Sequence, residues 1–203
     1  MKIRQAVILA GGQGTRLRPL TLTTPKPLIP IHGKPFAHYL VELLKKNGIE
    51  EIIFLTGYLG EQFPAYFGDG SNFGLKIRYS DSPVSDETGE RLLKARHMLD
   101  DTFLLLYGDN YWPLDLEKLA AHHKKAATRA TVTVYERNEL GKKNNMLVGA
   151  GGLVEVYDKK RETAGLNGVD IGFFILSRSV LDLLPQENIN FESSVLPQLI
   201  AKK

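Results

Sequence analysis

Residues 5–10 (QAVILA) form an unbroken apolar run of strand length that stops at Gly11-Gly12, the pattern of a strand buried on both faces of a parallel sheet. Polar and apolar positions then switch to a helical period. Phe36, Tyr39, Leu40, Leu43 and Leu44 share one helical face, and Asn47-Gly48 supplies residues favoured where a helix ends. EEIIFLTG follows as a second buried strand, so this part of the chain predicts a βαβ unit with a right-handed crossover.

The alternation continues. A short helix over 61–67 runs into the loop GDGSNFG, and LKIRYS at 75–80 alternates as a strand does. The pattern predicts a helix over 90–99, a strand TFLLLYGD closing at Gly108-Asp109, an amphipathic helix over 114–127 and a β-branched strand over 130–137. Short strands at 146–148 and 153–157, a long strand at 169–177 and helices at 180–184 and 192–203 complete the prediction. Strand and helix alternate through most of the chain, which predicts an α/β, Rossmann-like doubly wound, mostly parallel sheet with a binding crevice at the carboxyl ends of its strands. At 203 residues, with no internal repeat or linker, residues 1–203 read as a single domain.

Composition narrows the class of function. Hydrophobic residues at 43% and charged ones at 24% describe an ordinary soluble globular protein. The net charge of +3 and pI near 9.0 suit an anionic small molecule, but Lys and Arg are scattered, without the basic stripe and interleaved aromatics of a nucleic-acid binder. The absence of cysteine removes disulfides, thiolate metal sites and a cysteine nucleophile. With no signal peptide and no apolar run near membrane-spanning length, a cytoplasmic protein without a membrane partner is expected, and a homo-oligomer is allowed.

The chemistry gathers behind the first strand, in LAGGQGTRLRPLTLTTPKPLIPI. Glycines at 11, 12 and 14 let the backbone bend tightly and point N–H groups at one spot, as a polyphosphate cradle requires. Arg16 and Arg18 add positive charge, and Lys26, stiffened between Pro25 and Pro27, presents an ammonium to a second phosphate. The stretch is neither G-x-G-x-x-G opening a helix nor G-x-x-x-x-G-K-[ST]. Glycines alone are equally at home in a plain turn.

GGQGTRLRPLT followed by PKPLIPIHGKP resembles the signature of the sugar-1-phosphate nucleotidyltransferases, and the later positions that match lie in the same order along nearly the whole chain. The resemblance implies a reaction of an NTP with a sugar 1-phosphate, giving an NDP-sugar and pyrophosphate with Mg²⁺ as cofactor. It implies that Leu9, Gly11, Gly12, Gly14 and Thr15 surround the nucleotide. Arg16 would grip the leaving phosphates and Lys26 would neutralise charge at the reacting ones. Such chemistry needs positioning and charge neutralisation more than a protein nucleophile, because an oxygen of the sugar phosphate attacks the α-phosphorus itself.

YGDN resembles the family's metal-binding Gly-Asp, with Asp109 as catalytic metal ligand and Asn110 and Trp112 beside the sugar; alone, a strand-ending Gly-Asp is more often a turn. DETGERL resembles the loop that reads the base, matched by Thr88 and Gly89, with Glu90 standing where many members have another small residue and Arg91 following it. TGER reads equally as a helix start. VEVYDKK resembles the acidic-Lys segment and assigns Lys159 to the sugar's phosphate, against a plain solvated charge cluster. NGVDIGFFIL places Asp170 where the family commonly has Asn, as a sugar contact or second metal carboxylate, with a backbone-bonded strand-start Asp as the competing reading. FESSVLPQL resembles the family's next segment.

Family members usually continue into a strand whose Asp-x-Gly aspartate joins the first in binding Mg²⁺. The chain lacks that segment, which reads as a trimmed fragment or as a short member using Asp170 instead. TGER with YGDN is most similar to the short members such as heptose-1-phosphate or mannose-1-phosphate guanylyltransferases, so GTP is the first expectation, ahead of CTP and UTP. Two alternatives stay open: a weakly active or inactive homologue that binds nucleotide or sugar phosphate, and a nucleotidyltransferase for an alditol or choline phosphate. The five histidines show no metal spacing and are expected at the surface. No nucleophile elbow occurs.

Overall fold

The computed structural model describes residues 1–136, 143–185 and 187–202. Strand β1 (Gln5–Leu9), buried at every position, is followed by a small hairpin of β2 (Pro30–Ile31) and β3 (Lys34–Pro35), helix α1 (Phe36–Lys46) and strand β4 (Glu51–Thr56). Then come α2 (Gln62–Phe67), β5 (Lys76–Asp81), α3 (Thr88–Lys94) and β6 (Thr102–Tyr107). The remainder holds α4 (Leu116–Ala126), β7 (Ala130–Tyr135), β8 (Met146–Val148), β9 (Val154–Tyr157), β10 (Val169–Ser177) and α5 (Phe191–Ala201).

Six strands make the central sheet in the order β5-β4-β1-β6-β10-β7. β5, β4, β1 and β6 are parallel, whereas β10 runs antiparallel to both of its neighbours. In register, Val7 lies between Ile53 and Leu105. Alternate side chains enter two apolar layers: Ile8, Phe54, Leu104 and Phe173 pack with α1 and α2 residues such as Leu40 and Phe63, while Val7, Ile53, Leu105 and Phe174 pack with Leu92 of α3 and Val195 of α5. Helices on both faces explain why the strands read as continuous apolar runs, and each fully buried Leu, Ile or Phe contributes about 1.5–3 kcal/mol.

From β1 the chain winds outward through β4 to β5, then returns to place β6 on the other side of β1. That reversal is a switch point, and it opens a crevice at the carboxyl ends of β1 and β6. β8 and β9 pair in a separate ribbon, joined to the segment before β10 through Met146 and Gly168.

Some expected boundaries move. The helix expected over 90–99 starts earlier, at Thr88, and breaks after Lys94 into a tight 3-10 turn at Arg96–Met98. The segment expected as a helix over 180–184 is a 3-10 stretch, Arg178–Leu183, about two tight turns that carry Val180 and Leu181 into the core. The strand end at Arg137 and the helix end at Lys203 lie outside the described residues.

Candidate active site

The glycine loop after β1 takes its shape from its neighbours. Gly14 has φ +61°, and a Cβ there would lie 3.0 Å from both Cβ of Lys26 and Cγ2 of Thr21. The Thr21 hydroxyl donates to the Gly14 carbonyl at 3.0 Å, and a 3-10 turn over Thr15–Leu17 sends Arg16 outward from the loop. Lys26, set between two prolines, begins another 3-10 turn, closed by Leu28 N donating to Pro25 O at 2.8 Å. Across the switch point, Gly108 N donates to Leu9 O at 2.9 Å, so the end of β6 is stitched to the end of β1. Asp109 follows directly, and its carboxylate forms an ion pair with Lys26 in which both side chains remain about one-third exposed, 34% and 31%.

These elements enclose a cleft of about 440 Å³, within the range of small-molecule sites. Of the residues expected from sequence to act, Leu9, Gly11, Gly12, Gly14, Thr15, Arg16, Lys26, Thr88 and Asp109 line it together. A second wall is the segment from Val84 to Thr88, and Tyr107 and Arg91 are also among the lining residues.

Gly89, Asn110, Lys159 and Asp170 are not among the lining residues. Gly89 is buried, its N–H donating to Ile189 O at 2.9 Å, and a Cβ on it would sit 2.7 Å from that oxygen. The Thr88 hydroxyl accepts from Phe191 N at 2.8 Å, so the helix start is tied to the N-terminus of α5. Asn110 donates to Ile171 O at 3.2 Å, and its amide occupies the space that a side chain at Gly172 (φ +79°) would need. Trp112 packs on Tyr135, ring centres 5.2 Å apart.

Asp170 belongs to a second group of polar side chains around the start of α5. Its backbone N–H donates to Asn145 Oδ1 at 2.8 Å, and its own Oδ1 accepts from Gly172 N at 2.6 Å. Burial, reinforced by the neighbouring Glu192 carboxylate, pushes the Asp170 carboxyl up to about 7. Lys159 Nζ stands 3.8 Å from Glu192 Oε2. Lys159 is carried on a turn built by Asp158, whose carboxylate accepts from the backbone of Lys160, Glu162 and Thr163 at 2.8–2.9 Å and is thereby held well below the usual carboxylate range. Burial raises the phenols of Tyr107 and Tyr157, and Glu192 adds to both shifts. The Tyr107 hydroxyl is buried without a hydrogen-bond partner among the described residues, and its residue lines the cleft, so the two groups of residues adjoin there.

Glu192 and Tyr107 were not picked out by sequence reasoning as site residues, although both stand inside quoted segments, FESS and YGDN. Their signal is tertiary, since the partners come from β6, β9, β10 and α5. The expectation of surface histidines fails for His123, which is 5% exposed. Its Nδ1 meets Thr131 Oγ1 at 2.8 Å because α4 lays that face against β7, and burial lowers its pKa. Among the described residues, no three acidic or histidine side chains converge as a metal cage, and no helix is long and apolar enough to cross a membrane.

Residues 5–203 match the nucleotidyl transferase family. The chain is 33% identical to a probable glucose-1-phosphate cytidylyltransferase of Bacillus subtilis over 96% of its own length and 84% of that protein. It is also 33% identical to the mannose-1-phosphate guanylyltransferase of Mycobacterium tuberculosis, where 97% of the chain spans only 55% of the relative. HddC of Yersinia pseudotuberculosis, crystallised with GMP-PN, superposes with a TM-score of 0.81 at 25% identity, covering 97% of this chain and 86% of that one.

Proposed function

Because the chain belongs to the nucleotidyl transferase family, we propose that it carries a nucleoside monophosphate from an NTP to a sugar 1-phosphate, releasing pyrophosphate and forming an NDP-sugar. The observation that carries this reading is the convergence of the glycine loop, Arg16, Lys26 and Asp109 on one cleft. GTP is our first choice of donor. It is favoured by likeness to a guanylyltransferase and to a protein crystallised with a guanosine nucleotide analogue, and opposed by likeness to a cytidylyltransferase.

In this reading the turn at Gly11–Gly14 directs backbone N–H groups at the triphosphate, Leu9 and Thr15 bound the nucleotide, and Thr88 and Gly89 carry the wall beside the base. Arg16 draws the leaving pyrophosphate, and Lys26 neutralises charge gathering on the phosphate under attack. A phosphate oxygen of the sugar 1-phosphate attacks the α-phosphorus, and the bond to the β-phosphate oxygen breaks. Asn110, Lys159 and Asp170 serve the sugar-phosphate side, next to Tyr107.

The donor set suits Mg²⁺, which is satisfied by one or two carboxylates together with phosphate oxygens and water. Asp109 would hold it, with Asp170 the second candidate carboxylate, and the ion would supply charge neutralisation across the phosphates. A cytoplasmic site of action completes the proposal, and a homo-oligomer stays allowed.

Pyrophosphate release measured for GTP, CTP, UTP, dTTP and ATP against hexose, heptose and amino-sugar 1-phosphates tests it. One strong pair is expected, with GTP as donor. Turnover only with alditol or choline phosphates would move the acceptor class, and nucleotide binding without pyrophosphate release would make the protein a silent homologue.

A further inference from the structure

Arg91 is 4% exposed, and every acceptor its guanidinium reaches is a main-chain carbonyl or a hydroxyl. Nη1 donates to Thr56 O at 2.5 Å, Ser82 Oγ at 2.7 Å and Ser82 O at 3.4 Å. Nη2 donates to Pro83 O at 3.0 Å and, at 3.4 Å, to the carbonyls of Gly11 and Val84. Asp81, Asp86 and Glu87 act on it through space, while Asp86 is bonded instead to Lys94 at 2.6 Å.

The carbonyls belong to three neighbouring chain segments, just past β1, at the end of β4 and just past β5. One planar fork thus gathers three strand ends, and on one side it holds the glycine loop, on the other the segment Ser82–Val84, which leads into the wall at Val84–Thr88. The space it occupies was left by glycine: a Cβ on Gly11 would lie 2.4 Å from Cζ, and a Cβ on Gly57 would lie 2.5 Å from Nη1. Gly11 therefore answers to Arg91 as much as to any phosphate. A lysine ammonium offers three donors from one point and cannot span this set, whereas a guanidinium presents five in a fixed plane.

We propose that Arg91 is a positioning residue: its guanidinium clasps the glycine loop to the Ser82–Val84 segment that leads into the Val84–Thr88 wall, sets the width of the nucleotide cleft, and leaves a fixed positive charge beneath the phosphates. The inference deepens the nucleotidyltransferase reading and rests on it for its kinetic consequence.

The test compares wild type, Arg91→Lys and Arg91→Met in two ways. Hydrogen exchange of segments 9–18 and 82–88 is measured without nucleotide, and pyrophosphate release is measured with the NTP and then the sugar 1-phosphate varied. In Arg91→Met, exchange in both segments and the KM for NTP rise about tenfold or more, as loss of several charge-assisted bonds predicts. The KM for sugar 1-phosphate stays within about twofold, because that side of the cleft is built on other elements, and Arg91→Lys falls between. Wild-type exchange in the two segments of a folded variant overturns the proposal, as does a parallel rise of both KM values, the mark of general loosening. If Arg91→Met does not fold, Arg91→Lys decides on the same readouts. A wild type that releases no pyrophosphate from any pair defeats the functional reading alone, since the exchange comparison still decides the role of Arg91.

Discussion

Lys26 and Asp109 neutralise one another across the cleft, so a polyphosphate or a divalent cation must draw one away from the other. Both side chains are partly solvated, and such a pair adds at most about 1 kcal/mol to folding. In the proposed reaction its worth lies in charge placed where the transition state needs it. Lys26→Ala and Arg16→Ala are therefore expected to lower kcat by about a hundredfold or more while changing stability by less than about 1 kcal/mol. Steady-state pyrophosphate release beside thermal melts checks this, and near-normal turnover of either variant removes it from the phosphate site. Asp109→Asn keeps the size of the side chain and removes its negative charge, so its Mg²⁺ titration midpoint should rise about tenfold or more. An unchanged titration would transfer the metal role to another carboxylate. At this scale the sequence was most legible where the chemistry is local: the glycines, Arg16 and Lys26 sit within sixteen residues of one another and meet in one cleft. Arg91 and Glu192 were illegible as partners. Nothing in TGER says that the arginine turns inward to carbonyls from three strand ends, and nothing in FESS says which carboxyl the glutamate faces.

Between elements, the start of α3 is fastened to the start of α5 more firmly than either helix is capped on its own. Glu87 N donates to Asn188 Oδ1 at 2.6 Å, Gly89 N to Ile189 O at 2.9 Å and Phe191 N to Thr88 Oγ1 at 2.8 Å. The glycine at 89 is required by this seam. Gly89→Ala would push a methyl to 2.7 Å from a backbone oxygen and 3.0 Å from Leu184 Cδ2. The expected cost is about 1–3 kcal/mol, an overpacking penalty, which lowers the melting temperature of a chain this size by roughly 2–12 °C. An unchanged melting temperature would show that the seam yields freely. The same seam explains why the helix beginning was misplaced by two residues: apolar periodicity places Leu92 on a helical face but carries no record of hydrogen bonds made to residues a hundred positions later.

For the molecule as a whole, the parallel half of the sheet was legible because strands covered on both faces must be apolar throughout, whereas the reversal of β10 was not. β10 reads as an apolar run like the others, and only its pairing with β6 and β7 sets its direction. That reversed strand carries Asp170 to Glu192 and buries a carboxyl that water would have ionised, a cost that unfolding of the entire chain reports. In the unfolded chain Asp170 titrates at about 4, and in the folded protein burial beside Glu192 pushes it up to about 7. Below pH 4 both states hold the proton and stability is unpenalised. Between pH 4 and pH 7 the unfolded state releases its proton while the folded state keeps it, so this group lowers stability as pH rises, and above pH 7 the loss is complete. Asp170→Asn cannot ionise, and its Oδ1 still accepts from Gly172 N. Relative to wild type it should match near pH 3 and gain up to about 4 kcal/mol by pH 8. Urea unfolding of both proteins across that range, free of metal and nucleotide, makes the comparison. The carboxylates with lowered pKa, such as Glu51 and Asp158, drive stability the opposite way but are common to both chains, so the difference isolates the Asp170–Glu192 pair. A constant gap between the two curves would mean that Asp170 is ionised throughout and that the fold pays its cost elsewhere.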